Sequence, residues 1–278
     1  MVTNYIISLI SADIRRSHIN KEFSSKNIKF EFFDAFQPLG KENIIENILP
    51  QLNKNTVLTV GEKGCLISHL LLWQKCIDED MPYISIFEDD VILSEDAEYF
   101  LNDYSWISGS MIKQDNFIVR FETFLMPVIS EKAQNIAPIN GRNICILKSK
   151  HYGTAGYIIS KNAINYLLRL IKSLEAEDIK PIDQIIFNQL LSDQNLFIYQ
   201  LSPAICIQEL QLNKEESSLY SQIEEDRAKR FITKPKEKMS ILGKILKELD
   251  RYKNRDKRKK QRIEEIELEN QKSIIPFE

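Results

Sequence analysis

Ile84-Ser85-Ile86-Phe87-Glu88-Asp89-Asp90-Val91 is the stretch on which the reading of this chain turns. Pro82 precedes a short apolar run with the look of a buried strand, and the run ends abruptly in three consecutive acids. Like charges crowded at the end of a buried strand are costly. They either bind protons more tightly than usual or recruit a cation. Oxygen donors of this kind suit Mg²⁺ or Mn²⁺, and an ion held by one or two carboxylates commonly also holds a substrate diphosphate. In open α/β sheets ligands sit beyond the carboxyl ends of the strands, which is where this triplet falls. The competing reading is a solvated acidic turn, because Ser94-Glu95-Asp96 follows soon after.

Working outward, Tyr5–Ile10 reads as a strand and Arg15–Ser24 as a helix, with Phe30–Phe36 as a second strand closed by Pro38-Leu39-Gly40. Gly61 and Gly64 lead into a helix over Cys65–Ile77, whose Leu66, Leu70, Trp73 and Ile77 share one face. Asn116–Phe121, Gly156–Ile159, Ile198–Leu201 and Ile205–Ile207 are further strands, and Ala163–Leu174 and Ile182–Leu191 further helices. This alternation predicts an α/β sheet covered by helices on both faces. A chain of 278 residues with 43% hydrophobic and 28% charged residues excludes a disordered or low-complexity protein. No apolar run reaches the roughly 18 residues of a spanning helix, and the N-terminus lacks the basic region of a signal peptide. Cys65, Cys76, Cys145 and Cys206 have no C-x-x-C spacing, so reduced thiols in a cytoplasmic protein are expected.

Charge divides the chain. Arg227 to Arg262 holds 16 Lys and Arg against four acids, an excess of 12 positive charges. With a total of −3, the rest carries −15. The boundary falls near Ser221–Arg227, giving a body over residues 1–220 and a basic extension over 221–278. Ile241, Leu242, Ile245, Leu246, Leu249 and Tyr252 recur at helical spacing among Lys and Arg. A basic amphipathic helix of this type suits an anionic membrane surface. Packing of its stripe on the body, or on a second subunit in a homodimer, is the alternative. The near-neutral total indicates no nucleic-acid partner.

Three more motifs could carry chemistry. Gly61-Glu62-Lys63-Gly64-Cys65-Leu66-Ile67-Ser68-His69 places glycines before a helix, where backbone amides could approach an anion. His151-Tyr152-Gly153-Thr154-Ala155-Gly156-Tyr157-Ile158-Ile159 brings small residues into a strand, for a close ligand or for tight packing. Pro181-Ile182-Asp183-Gln184 puts Asp183 in a helical first turn, as a general base or as a simple cap.

In order and approximate spacing, these motifs resemble glycosyltransferase family 25, which includes bacterial lipooligosaccharide galactosyl- and glucosyltransferases, over about Met1 to Ser218. The resemblance implies a single GT-A-like nucleotide-sugar domain and inverting transfer of galactose or glucose from a UDP-sugar to a lipooligosaccharide hydroxyl, with Mn²⁺ or Mg²⁺. It implies Glu88 and Asp90 as metal ligands. Arg15, Arg16, Ser68, His69, Asp89, Thr154 and Gly156 would lie around the donor. Asp183 is the expected base, with Asp89 and Glu122 as competitors, and Gln208 would join the metal or diphosphate shell. The acceptor and the basic extension together imply a cytoplasmic enzyme peripheral to the inner membrane. A nucleotidyltransferase, which would release pyrophosphate from a nucleoside triphosphate, is the alternative.

Overall fold

A computed structural model describes residues 4–109, 115–212, 219, 254 and 268–278. Thirteen strands succeed one another among them: β1 (Asn4–Ser8), β2 (Glu31–Asp34), β3 (Tyr83–Glu88), β4 (Val91–Leu93), β5 (Phe117–Arg120), β6 (Glu122–Thr123), β7 (Pro127–Val128), β8 (Ser130–Lys132), β9 (Asn143–Leu147), β10 (Gly156–Ser160), β11 (Phe197–Ser202), β12 (Cys206–Gln208) and β13 (Ser273–Ile274). Eight of them form one sheet in the order β2-β1-β3-β10-β5-β11-β9-β8. β1 runs parallel to β2 and β3, and β5 runs parallel to β11. β10 is inserted antiparallel between β3 and β5. The class is therefore mixed α/β, as the alternation of elements predicted.

The central strands are buried along their length, apart from the end residues of β3 and β11, because successive side chains feed two different cores. Tyr5, Ile7, Ile84, Ile86, Tyr157 and Ile159 meet Leu66, Leu70 and Trp73 of the helix Val60–Asp78 and Ile164 and Leu167 of the helix Lys161–Ser173. Ile6, Phe87, Val119 and Ile158 point the other way, onto Ile19 and Phe23 of the helix Asp13–Ser25 and onto Phe100 and Trp106. A three-stranded sheet, β4-β12-β6, continues from the ends of β3 and β5. It pairs Val91 with Gln208, which brings Gln208 beside the acidic triplet.

Three local expectations change. The helix expected over Cys65–Ile77 begins at Val60, where Thr59 and Glu62 form a capping box. Gly61 and Gly64 thus lie inside the helix, and their amides are not an anion loop. Gly64 is small for packing, since a Cβ there would stand 2.6 Å from the Phe36 carbonyl oxygen. The helix expected over Ile182–Leu191 is one α-turn, Ile182–Gln184, continued by a π-helical turn, Ile185–Gln189. The first strand stops at Ser8, leaving Ile10 exposed.

The four cysteines form no disulfide, and Cys76, Cys145 and Cys206 are buried. Among the described residues no helix is long and apolar enough to cross a membrane. The amphipathic stripe from Ile241 to Tyr252 lies outside the described residues. The chain's last residues return to the body. β13 pairs antiparallel with β7, and Thr123 donates to the Ile275 carbonyl at 2.7 Å. The Ala204 amide donates to Pro276 at 2.7 Å, while the nearly buried Arg142 guanidinium reaches the Glu278 carbonyl at 2.6 Å. Ile275 is 3% exposed in the same core as Val128 and Ala204. Ile275→Ala should therefore lower unfolding free energy by about 2–5 kcal/mol, the range for emptying a buried isoleucine site. Urea denaturation measures it, and a loss under half a kcal/mol would show that the terminal segment is not part of the core.

Candidate active site

β3 delivers Glu88 to the C-terminal edge of the large sheet, and the turn into β4 places Asp89 and Asp90 beside it. Asp89 forms an ion pair with the Arg15 Nη1, and the Arg15 Nη2 stands 3.3 Å from Asp90 Oδ2. Arg15 comes from the first turn of the helix Asp13–Ser25, directly after β1, and also donates to the Leu219 carbonyl at 3.3 Å. On the opposite side one Gln208 amide nitrogen donates to Glu88 Oε2 at 3.3 Å and to Asp90 Oδ1 at 3.4 Å. The Glu209 amide, donating to the Asp90 carbonyl at 2.8 Å, fixes this approach.

The loop before β10 ties down three carboxylates with three successive residues. The Gly153 amide donates to Asp183 Oδ2 at 3.2 Å, Thr154 Oγ1 to Glu88 Oε1 at 3.0 Å, and the Ala155 amide to Glu122 Oε2 at 2.7 Å. Gly153 has φ +85°, and a Cβ there would collide with Glu122 Oε1. Only glycine combines that left-handed turn with so close a carboxylate. Glu122 is fully buried, and its Oε1 lies 3.2 Å from the equally buried Arg120 Nη2, which also donates to the Tyr152 carbonyl. The Arg120 guanidinium lies over the Phe187 ring, 5.1 Å from its centroid.

The expected site residues therefore separate into groups. Glu88, Asp89, Asp90, Arg15, Thr154, Asp183 and Gln208 form one connected cluster. Arg16 points elsewhere, bonding the Leu9 and Ser8 carbonyls at 3.0 and 3.1 Å and pairing with Asp34. Ser68 is buried, donating to the Gly64 carbonyl and accepting from the Phe36 amide, each at 2.8 Å, so it joins the helix to the segment after β2. Gly156 packs inside β10 against Phe87 and Cys206. His69 lies mid-helix, with Nδ1 2.8 Å from the Tyr157 hydroxyl, which also accepts from Trp73 Nε1 at 3.1 Å. Arg120 was not anticipated. Its signal was a lone cation in the apolar run Phe117–Phe121, two residues from Glu122 and so on the same strand face.

Carboxylates outnumber cations here: Glu88, Asp89, Asp90, Glu122 and Asp183 face Arg15 and Arg120. Desolvation, reinforced by Asp90 and Glu122, pushes the Glu88 carboxyl up to about 8. Burial pushes Glu122 up to about 7 against the pull of Arg120. Burial raises Asp90 as well, opposed by Arg15. Burial holds His69 down at about 3 and His151 at about 2, so both imidazoles are neutral. Two hard carboxylates within an excess of acidic groups supply the oxygen donors that suit a divalent cation such as Mg²⁺ or Mn²⁺.

The electrostatics set a pH dependence. Glu88 and Glu122 keep their protons in the folded state up to about 8 and 7, whereas the unfolded chain releases them at ordinary carboxylate values. The folded state then binds more protons in this window, and stability falls as pH rises through it. In chelator, unfolding free energy should drop between about pH 5 and pH 8, by up to ~1.4 kcal/mol per pH unit for each retained proton. Glu88→Gln should flatten the slope in urea titrations. Stability rising with pH over that range would refute protonated carboxyls.

The family model and the curated relatives point to the same family. The model of "Glycosyltransferase family 25 (LPS biosynthesis protein)" matches residues 1–186. The lipooligosaccharide biosynthesis protein lex-1 of Haemophilus influenzae is 43% identical, over 99% of this chain and 99% of that protein. The lipooligosaccharide biosynthesis protein lic2B of Haemophilus influenzae is 47% identical over 85% of this chain and 87% of its own length. The lacto-N-neotetraose biosynthesis glycosyltransferase LgtE of Neisseria meningitidis serogroup B is 36% identical over 96% and 95%. With a family match across more than half of its length and relatives this similar along nearly all of it, the chain belongs to glycosyltransferase family 25.

Proposed function

We propose that the protein is a GT-A-like, metal-dependent, inverting glycosyltransferase that moves galactose or glucose from a UDP-sugar to a sugar hydroxyl of a lipooligosaccharide acceptor. The observation that carries the proposal is the pair Glu88 and Asp90 at the end of β3, bridged by the Gln208 amide and flanked by Arg15. The lipooligosaccharide roles in the names of the relatives support the acceptor class.

Glu88 and Asp90 would hold the divalent cation, with Gln208 beside them. When bound, the ion would offset the charge that develops on the departing diphosphate. Arg15 adds a fixed positive charge at the same edge, held by Asp89 in the orientation that meets an anion. Thr154 keeps the Glu88 carboxylate from swinging away. Accepting a proton from the attacking hydroxyl requires a carboxylate that the acceptor can reach. Glu122 is fully buried and tied to Arg120 and the Ala155 amide, and Asp89 is paired with Arg15. Asp183 retains exposed surface, and the Gly153 amide orients one of its oxygens, leaving the other for the acceptor. Asp183 is therefore the base, and Glu122 shapes the loop beneath it.

The test is release of UDP by the full chain, with and without Mn²⁺, from UDP-galactose and UDP-glucose in turn. Slow hydrolysis of one donor is expected, dependent on Mn²⁺ and abolished in Asp90→Asn. Pyrophosphate release from a nucleoside triphosphate would favour the nucleotidyltransferase reading instead. Asp183→Asn should lower kcat for transfer about 10²- to 10⁴-fold, the usual contribution of a general base, while UDP still protects against thermal unfolding. An unchanged kcat would remove Asp183 from this role.

The basic stretch from Arg227 to Arg262 is assigned to the anionic face of the inner membrane, with the enzyme working from the cytoplasm. Replacing its Lys and Arg by Gln, while keeping residues 268–278 that complete the body, should abolish sedimentation with phosphatidylglycerol vesicles. Equal sedimentation of both proteins would overturn the assignment.

A further inference from the structure

Glu88 also faces a second group of donors, to which the metal and base chemistry proposed above gives no role. A ring nitrogen of His69, Cys65 Sγ and a Glu88 carboxylate oxygen lie within 4.8 Å of one another. His69 is fully buried; its Nδ1 meets the Tyr157 hydroxyl at 2.8 Å, while among the described residues its Nε2 has no hydrogen-bond partner. The nitrogen left to serve as a ligand is thus the orphaned Nε2. A buried polar atom without a partner is destabilising, so its persistence calls for a reason. Cys65 and His69 stand four residues apart in the helix Val60–Asp78, which puts both side chains on one face directed at the end of β3.

We propose that Cys65, His69 and Glu88 form a binding site for a thiophilic divalent cation such as Zn²⁺, distinct from the all-oxygen site at Glu88 and Asp90. Thiolate with imidazole selects late first-row ions over Mg²⁺ and Mn²⁺. Three protein ligands leave a fourth, open position, as in zinc sites that accept an exogenous ligand. The surroundings are those of a metal-bound histidine. Nδ1–H can donate to the Tyr157 oxygen, whose second lone pair takes the Trp73 N–H, which leaves the Nε2 lone pair available to an ion shared with Cys65 and Glu88. The thiol proton and the proton held by the Glu88 carboxyl are both released to solvent as the two ligands bind. Because Glu88 belongs to both sites, an ion in one withdraws a ligand from the other. Occupancy by Zn²⁺ would then compete with Mn²⁺. This consequence rests on the proposed transferase reading, whereas the site itself does not.

The probe is Co²⁺ alone, added anaerobically to the chelator-treated full chain with a non-thiol reductant. Expected are a near-ultraviolet thiolate-to-cobalt charge-transfer band and strong visible bands of a four-coordinate ion, saturating at one equivalent. Cys65→Ser should abolish the charge-transfer band, Cys76→Ser should leave it unchanged, and Tyr157→Phe should weaken cobalt binding about 10- to 100-fold. On the unmutated protein, Zn²⁺ should slow alkylation of Cys65 by iodoacetamide at least tenfold, a readout independent of whether a variant folds. Cobalt bound with only weak six-coordinate bands, lost in Asp90→Asn and untouched in Cys65→Ser, would overturn this site and leave the Glu88–Asp90 site standing. Failure of Zn²⁺ to protect Cys65 would overturn it too, whatever the UDP-release assay gives.

Discussion

The site depends on the way three successive residues, Gly153, Thr154 and Ala155, hold three carboxylates that would otherwise repel one another. The acids arrive from separate parts of the chain: Glu88 from β3, Glu122 from β6 and Asp183 from the turn Ile182–Gln184. Two of the donors are backbone amides, whose position is fixed by the φ +85° turn at Gly153 and by the entry into β10. β10 is the antiparallel strand between β3 and β5, so the sheet's one change of direction in this region delivers the loop to the acids. Arg120 completes the arrangement from below. Truncating one partner of a buried pair such as Arg120–Glu122 costs far more than the pair's net contribution, because the remaining charge is left uncompensated. The pair therefore acts as a rigid floor.

Much of this was legible in the residues. Strands β1, β3, β5, β10 and β11 announce themselves as apolar, β-branched runs because both faces of the central sheet are buried. The acidic end of β3 stood out for the same physical reason, since charge is conspicuous only where the surroundings are apolar. The resemblance to family 25 singled out Glu88 and Asp90 as a pair and Gln208 as a neighbour, where the acidic run by itself left a solvated turn open; in the fold one Gln208 amide nitrogen reaches both carboxylates.

What stayed hidden depends on contacts between distant residues. The glycines at 61 and 64 read as a loop, because a capping box at Thr59 and Glu62 is a short signal beside two glycines. Only the packing of Gly64 against the Phe36 carbonyl explains why it is small inside a helix. Ser68 and Arg16 carry side chains typical of a donor pocket, yet the fold spends them on backbone carbonyls and on Asp34. β7 and β8 are only two and three residues long, and β7 pairs with the far end of the chain, so periodicity could not find them.

That far end changes how the basic stretch is understood. The division of the chain by charge suggests a body followed by an appendage, but the chain's last residues contribute a strand, a buried isoleucine and a carbonyl for Arg142. On the near side, the buried Leu219 gives its carbonyl to Arg15, the residue that also holds Asp89 and Asp90. The residues between these two anchors are therefore tethered at both ends, one of them within a single side chain of the acidic triplet. If positive charge in this segment meets an anionic surface, the direction in which the acidic edge of the sheet faces is constrained by the same two attachments.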